Sequence, residues 1–279
     1  MVARPSWWTR GGRGAAVQPT TITRLLVPLD GSAEAAAAID PALRIARSLQ
    51  IPLELLTVHD PIHGKWAKDI DDIADRLAYD HVEVVLVGAG WAGDVISNTV
   101  SEQPGTVVCM ATHNRDRFSR LVVGSVTEHV LHHVPAPVVM IGPHYQPGET
   151  DGGFQRALIC QDGTPRDASS LATAESWARQ LNLELELVHV AAPSEGTHVE
   201  PRLHDAAEHL RKGGLTTTTT ILTSSEPATR ITEILTQRPG ALAILNGHAR
   251  VGLTKFVLGS ISSKLLEHSP IPLLITRSP

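Results

Sequence analysis

The sequence predicts an α/β chain made of two tandem domains, each with a five-stranded parallel sheet. Three observations carry that prediction. A set of landmarks recurs in the same order about 130 residues apart, as from Asp30 to Asp162 and from Gly124 to Gly259. Short apolar runs of strand length alternate with longer amphipathic stretches. The 279 residues are enough for about two domains of ordinary size.

Residues 1–21 read as a disordered basic tail with Arg4, Arg10, Arg13 and a Trp7–Trp8 pair, and no apolar stretch of signal-peptide length. The first domain, 22–142, has predicted strands at 23–29, 53–58, 82–87, 106–111 and 137–141, with helices over Ala33–Leu49, Ile70–Tyr79 and Ser119–His132. Residues 143–155, rich in Gly, Pro and polar side chains, form a linker. The second domain, 156–279, repeats the pattern with strands near 156–160, 183–189, 215–222, 241–245 and 272–276. Nearly unbroken Val/Ile/Leu runs indicate strands covered on both faces, hence parallel βαβ units. The β-branched run Thr216–Thr220 is weakly apolar and suits a strand near a sheet edge. The period is too long for a solenoid repeat, so each repeat is a domain.

Composition narrows the function. With 42% hydrophobic and 19% charged residues the chain can build a packed core and is not a disordered polymer. A formal charge of −5 disfavours nucleic acid as partner, because phosphate neutralisation needs clustered cations. No apolar run reaches the roughly 20 residues of a membrane span. Cys109 and Cys160 sit in or beside apolar runs without a motif, which fits a reducing, cytoplasmic setting.

In open parallel sheets ligands bind beyond the carboxyl ends of the strands, where strand order reverses. Asp30-Gly31-Ser32 follows the first strand and Asp162-Gly163-Thr164 repeats it. This is a tight turn with a helix cap, or a carboxylate at a pocket mouth for a ligand or cation. The fourth strand ends in Ala111-Thr112-His113-Asn114, followed by Arg115, Arg117 and Arg120, then Gly124-Ser125 and a helix. Helix amides behind a glycine, reinforced by arginines, make an anion site. The second domain has Asn246-Gly247-His248-Ala249, Arg250, Lys255 and Gly259-Ser260.

These residues identify a resemblance to the universal stress protein family in its tandem form, over about 22–142 and 156–277. Its carriers are the Pro-Leu-Asp-Gly-Ser opening, the Gly-Ser before the fourth helix and the Pro-x-Pro before the last strand. The resemblance implies a Rossmann-like fold of the adenine nucleotide alpha hydrolase-like type. It also implies ATP, with Mg2+ as accompanying ion, bound through Gly-x-x-Gly, nine residues, then Gly-(Ser/Thr). The implied first-domain site comprises Leu29, Asp30, Val58, Ala111, Asn114, Arg115, Gly124, Ser125 and Val126. A second would use Asp162, Val188, Asn246, Ala249, Gly259 and Ser260, with Val188 the counterpart of Val58. Ala111, Asn114, Asn246 and Ala249 replace the family's first two glycines. Asn tolerates a left-handed backbone best among non-Gly residues, whereas Ala249 would lose about 1 kcal/mol or more, which favours the first domain.

The resemblance further implies self-association through the last strands, 137–141 and 272–276, within the chain or as a homodimer. Two functions stay open: a nucleotide-responsive stress protein, or an interaction module that docks a protein partner without nucleotide. No residue stands out as a base for hydrolysis, so the chain is not expected to be an enzyme. No metal site is expected: His129, His132 and His133 share helical spacing but read as a solvated helix face. Gly88–Gly93 spells a dinucleotide fingerprint, yet in the wrong βαβ unit. His59, His113, His189 and His248 fall near strand ends, where they could line a pocket.

Overall fold

The computed structural model describes residues 21–59, 66–112, 124–147, 152–164, 167–193, 199–249 and 256–277. The first half contains β1 (Arg24–Leu29), α1 (Ala33–Ala36), α2 (Ile39–Leu49), β2 (Leu53–Val58), α3 (Ile70–Arg76), β3 (Val82–Val87), α4 (Ala92–Glu102), β4 (Thr106–Ala111), α5 (Ser125–His133) and β5 (Val138–Ile141). The second contains β6 (Arg156–Cys160), α6 (Asp167–Leu181), β7 (Glu184–Ala191), α7 (Glu200–Lys212), β8 (Thr217–Thr223), α8 (Pro227–Thr236), β9 (Ala241–Ala249), β10 (Phe256–Val257), α9 (Ser260–His268) and β11 (Leu273–Arg277).

Ten strands form one continuous sheet in the order β3-β2-β1-β4-β5-β11-β9-β6-β7-β8, with β10 paired to β9. Each half is parallel. The seam between them is antiparallel, with Leu273 opposite Met140 and Ile275 opposite Val138. The last strands therefore pair within the chain, and both are interior strands of the sheet. Thr217–Thr223 is an edge strand, as its composition predicts.

Alternation along β1 explains the layers. Leu25, Val27 and Leu29 face a core with α1, α2, α6 and α7, while Leu26 faces a core with α4, α5, α8 and α9. At the amino edge each half repeats one ion pair. Arg24 bonds the buried Glu54 at 2.5 Å and Glu83 at 2.8 Å. Arg156 and Arg238 lie 3.8 and 3.2 Å from the equally buried Glu186.

Several boundaries differ from the sequence prediction. The helix expected over 33–49 breaks after Ala36, because Pro41 has no N–H for a bond to Ala37 and is tolerated only in the first turn of a new helix. The helix predicted over 70–79 ends at Arg76, and Ala78 takes a positive φ of 47°. The helix expected from Ser119 begins, among the described residues, at Ser125. The linker is partly built into the fold. Phe154 is buried, and Arg44 stacks 4.1 Å over its ring while donating to the carbonyls of Gly152 and Gly153.

Candidate functional site

The strand order places a topological switch point between β1 and β4, whose chain continuations leave to opposite layers. Asp30 stands at the end of β1, half-buried. Its Oδ1 accepts from the Ser32 backbone N–H at 3.0 Å and from the Ser32 hydroxyl at 2.5 Å. Ser32 Oγ in turn accepts from Ala35 N–H and caps α1. The turn requires Gly31, whose φ is +83° and where a Cβ would lie 2.8 Å from the Trp66 carbonyl oxygen. The buried Leu29 supports this turn from below.

Val58 ends β2. Leu25 N–H donates to the Pro52 carbonyl, so the even-numbered residues of β2 face β1. The backbone groups of Val58 therefore lie on the Asp30 side. Beside it, the rings of His59 and Trp66 meet edge-on at 5.4 Å. Ala111 ends β4, and Thr112 anchors the departing chain by donating its N–H to the Ile141 carbonyl at 2.9 Å. His113, Asn114, Arg115, Arg117 and Arg120 lie outside the described residues.

The chain returns at Gly124, the N-cap of α5, with φ −61° and ψ 155° and no side-chain cap. A Cβ on Gly124 would meet none of the described residues within 4 Å. Neither the backbone angles nor packing among the described residues demands glycine here. The first bond into the helix runs from Glu128 N–H to Gly124 O, which leaves the Ser125, Val126 and Thr127 amides without helical partners. Ser125 is exposed and Val126 packs against the α4–α5 core. Uncapped amides behind a glycine, with no described residue over them, suit a polar ligand whose anionic part meets the helix end.

The second half repeats the frame but fills it differently. Gly259 caps α9 with φ −58° and ψ 160°, nearly the angles of Gly124, and Ser260 is exposed. Asp162 accepts from Thr164 N–H at 2.8 Å. Gly163, at φ +77°, is covered: a Cβ would meet the Val199 side chain at 2.5 Å, and Arg202 donates to its carbonyl at 2.9 Å. Behind it, buried Asp167 accepts from the N–H groups of Asp162 and Gly163. Burial above all, and then the charge of Asp162, pushes the Asp167 carboxyl up to about 8.

Three sequence-based expectations change here. Asn246 is buried, and its amide oxygen accepts from the Thr276 hydroxyl at 2.8 Å, so it ties β9 to β11. β9 continues to Ala249, which pairs with Phe256 in a hairpin, so the left-handed backbone considered for that position does not occur. The counterpart of Val58 is Val190 and not Val188. Leu29 pairs with Thr57 as Cys160 pairs with Val188, and the Asp30–Asp162 equivalence then puts His189 at the place of Thr57. Val188 is wholly buried in the core.

The remaining histidines also resolve. His189 is buried, donates Nδ1–H to the Gln161 carbonyl at 2.9 Å and leaves Nε2 without a partner. His129 is half-buried and not a freely solvated side chain. It lies under Trp91 at 4.3 Å, stacks on His133 at 3.8 Å and meets Asp94 at 3.3 Å. Burial first, and then His133, lowers its pKa below the usual histidine value. Among the described residues no group of three or more His, Cys, Asp or Glu is arranged to hold a metal ion. None of their helices is long and apolar enough to cross a membrane. A cavity of about 240 Å³ between the halves, beside Ile22, Val107, Pro135 and Trp177, lies at the amino end of β4, away from the switch point.

Comparison with known proteins agrees with this architecture. The model of the universal stress protein family matches residues 21–142 and again 153–277. A universal stress protein of Mycolicibacterium smegmatis is 24% identical, over 94% of this chain and 99% of its own length. One from Mycobacterium tuberculosis is also 24% identical, over 91% and 96%. Among solved structures, a universal stress protein from Archaeoglobus fulgidus superposes with a TM-score of 0.70 at 18% identity, over 92% of this chain and 98% of that one. With a matching fold, a repeated Gly-Ser helix start at the strand ends and a family model whose two matches together cover most of the chain, this chain belongs to the universal stress protein family in its tandem form.

Proposed function

We propose that the first half binds an adenine nucleotide, ATP in the first instance, and that the protein is a nucleotide-responsive regulator in a stress response. One observation carries the reading: Gly124, at an uncapped helix end that follows the chain leaving β4, is a glycine that neither its backbone angles nor any described neighbour requires. A phosphate approaching the α5 amides needs the space that a side chain would take. Asp30, at the end of β1, would supply the carboxylate for a ribose hydroxyl or a hydrated Mg2+, and the Val58 backbone faces the β1 side of the same sheet edge. The activity proposed is reversible binding, without turnover.

For the second half the better reading is an interaction and scaffolding role, because Asn246 is committed to Thr276 and the β9–β10 hairpin replaces an open loop. Titration calorimetry with ATP and ADP, with and without Mg2+, tests both readings. One saturable site that weakens at least tenfold in Asp30→Ala is the expected result. No heat and no thermal stabilisation at millimolar nucleotide would overturn the first reading, and two equal sites the second. Phosphate release in the same samples checks that binding is not followed by hydrolysis.

A further inference from the structure

Among the described residues β3 is a terminal strand with nothing paired to its outer side. Leu53 N–H donates to the His81 carbonyl and His59 N–H to the Val87 carbonyl, both at 2.9 Å. Odd-numbered residues thus face β2, and Val82, Val84 and Leu86 turn their N–H and C=O groups outward. The side chains of these three residues share one face of the sheet, where Val84 is 36% and Leu86 56% exposed. The exposure follows from a short helix. α3 has 7 residues, where its counterpart α7, beside β8, has 13. The strand carries no Lys or Pro of the kind that blocks edge pairing. Its single charged residue, Glu83, lies on the other face and is bridged by Arg24.

We propose that β3 is a homodimerisation edge, two copies pairing antiparallel about a two-fold axis through Val84. In that register Val82 lies opposite Leu86 and Val84 opposite itself. Every outward N–H and C=O of the three residues meets a counterpart, and each exposed side chain gains an apolar cross-strand neighbour. Glu83 falls opposite Val85, so no like charges meet. A head-to-tail contact of β3 with β8 of a second copy would build an open-ended sheet, whereas the β3–β3 pair closes. Moreover, the outward residues of β8 are mainly threonines. Six residues give an interface small against the roughly 1,200 Å² of a stable complex, so the dimer depends on concentration.

Sedimentation of the full chain from micromolar to submillimolar concentration tests this. The mass is expected to rise from 29.9 kDa towards twice that value. Leu86→Lys, a change at an exposed side chain, is expected to hold it at the monomer, with circular dichroism confirming the fold. Thr223→Lys on the opposite edge is expected to change nothing. In the proposed register the two Val84 side chains stand opposite each other on one face of the sheet, about 5.5 Å apart and within reach of a short bis-maleimide cross-linker. Val84→Cys should therefore be joined by that reagent where the native chain is not. A monomer at every concentration, a dimer that survives Leu86→Lys, or a Val84→Cys chain that stays uncross-linked would overturn the proposal.

Discussion

Gly124→Ala separates ligand space from fold requirement, and Gly31→Ala supplies the contrast. At Gly124 the backbone angles of −61° and 155° are open to any L-residue, and the new methyl would meet none of the described residues within 4 Å. Alanine is a poorer N-cap than glycine, but it also reduces unfolded-state entropy by about 0.4–1 kcal/mol, so the two effects nearly cancel. Stability should change by no more than about 0.5 kcal/mol, a shift in Tm of about 2 °C for a chain of this size. Nucleotide affinity should nevertheless fall at least tenfold, about 1.4 kcal/mol, because the methyl occupies the approach to the α5 amides. Gly31→Ala puts a side chain at φ +83° and 2.8 Å from the Trp66 carbonyl oxygen. The left-handed backbone alone costs about 1–2 kcal/mol, and the close contact adds to it. Thermal melts with and without ATP, alongside calorimetry, measure both variants. Wild-type affinity in a well-folded Gly124→Ala would refute the reasoning, and so would a Gly31→Ala chain as stable as the parent.

Asp167 gives a pH prediction. Its folded pKa of about 8 lies above the ordinary carboxyl value of 3.8, so the folded state holds a proton that the unfolded state has released between those values. Its stabilising effect is full below about pH 4 and lost as pH rises through about 8. Asp167→Asn should therefore flatten the decline of Tm from pH 5 to 8, a difference of a few kcal/mol at most, measured by melts across that range. Arg44→Ala should cost about 2–4 kcal/mol through lost packing on Phe154 and stranded carbonyls at Gly152 and Gly153, and should speed proteolysis near residue 152.

Most of the fold was legible because burial on two faces leaves a local trace. β2, β3, β4 and β6 coincide with the apolar runs that predict them, and the Asp-Gly turns and Gly-Ser helix starts fall at the carboxyl edge where βαβ logic puts them. The site was legible only in outline. That Gly31 is structural and Gly124 is not could not be read from two identical letters, since the difference lies in φ and in what stands nearby. Val58-His59 and Val188-His189 match as dipeptides, yet hydrogen-bond register pairs Val58 with Val190. The shift from Val188 to Val190 is two residues, so the side chain keeps its face but moves along the strand, and a dipeptide carries no register. The partial cover of His129 by Trp91 was equally invisible, because it comes from the residue just before α4, distant in the chain.

The sequence by itself determined the repeat, the strand content of each half and the residues that reach the carboxyl edge. These follow from side-chain period and turn chemistry, which act over a few residues. The tertiary structure alone decided that β5 and β11 pair inside one chain, that Asn246 and the β9–β10 hairpin fill the second frame, and that β3 is left uncovered. Each of these depends on contacts between segments distant in the chain, where neighbouring strands and helix lengths, and not local preference, fix what is buried and what stays open.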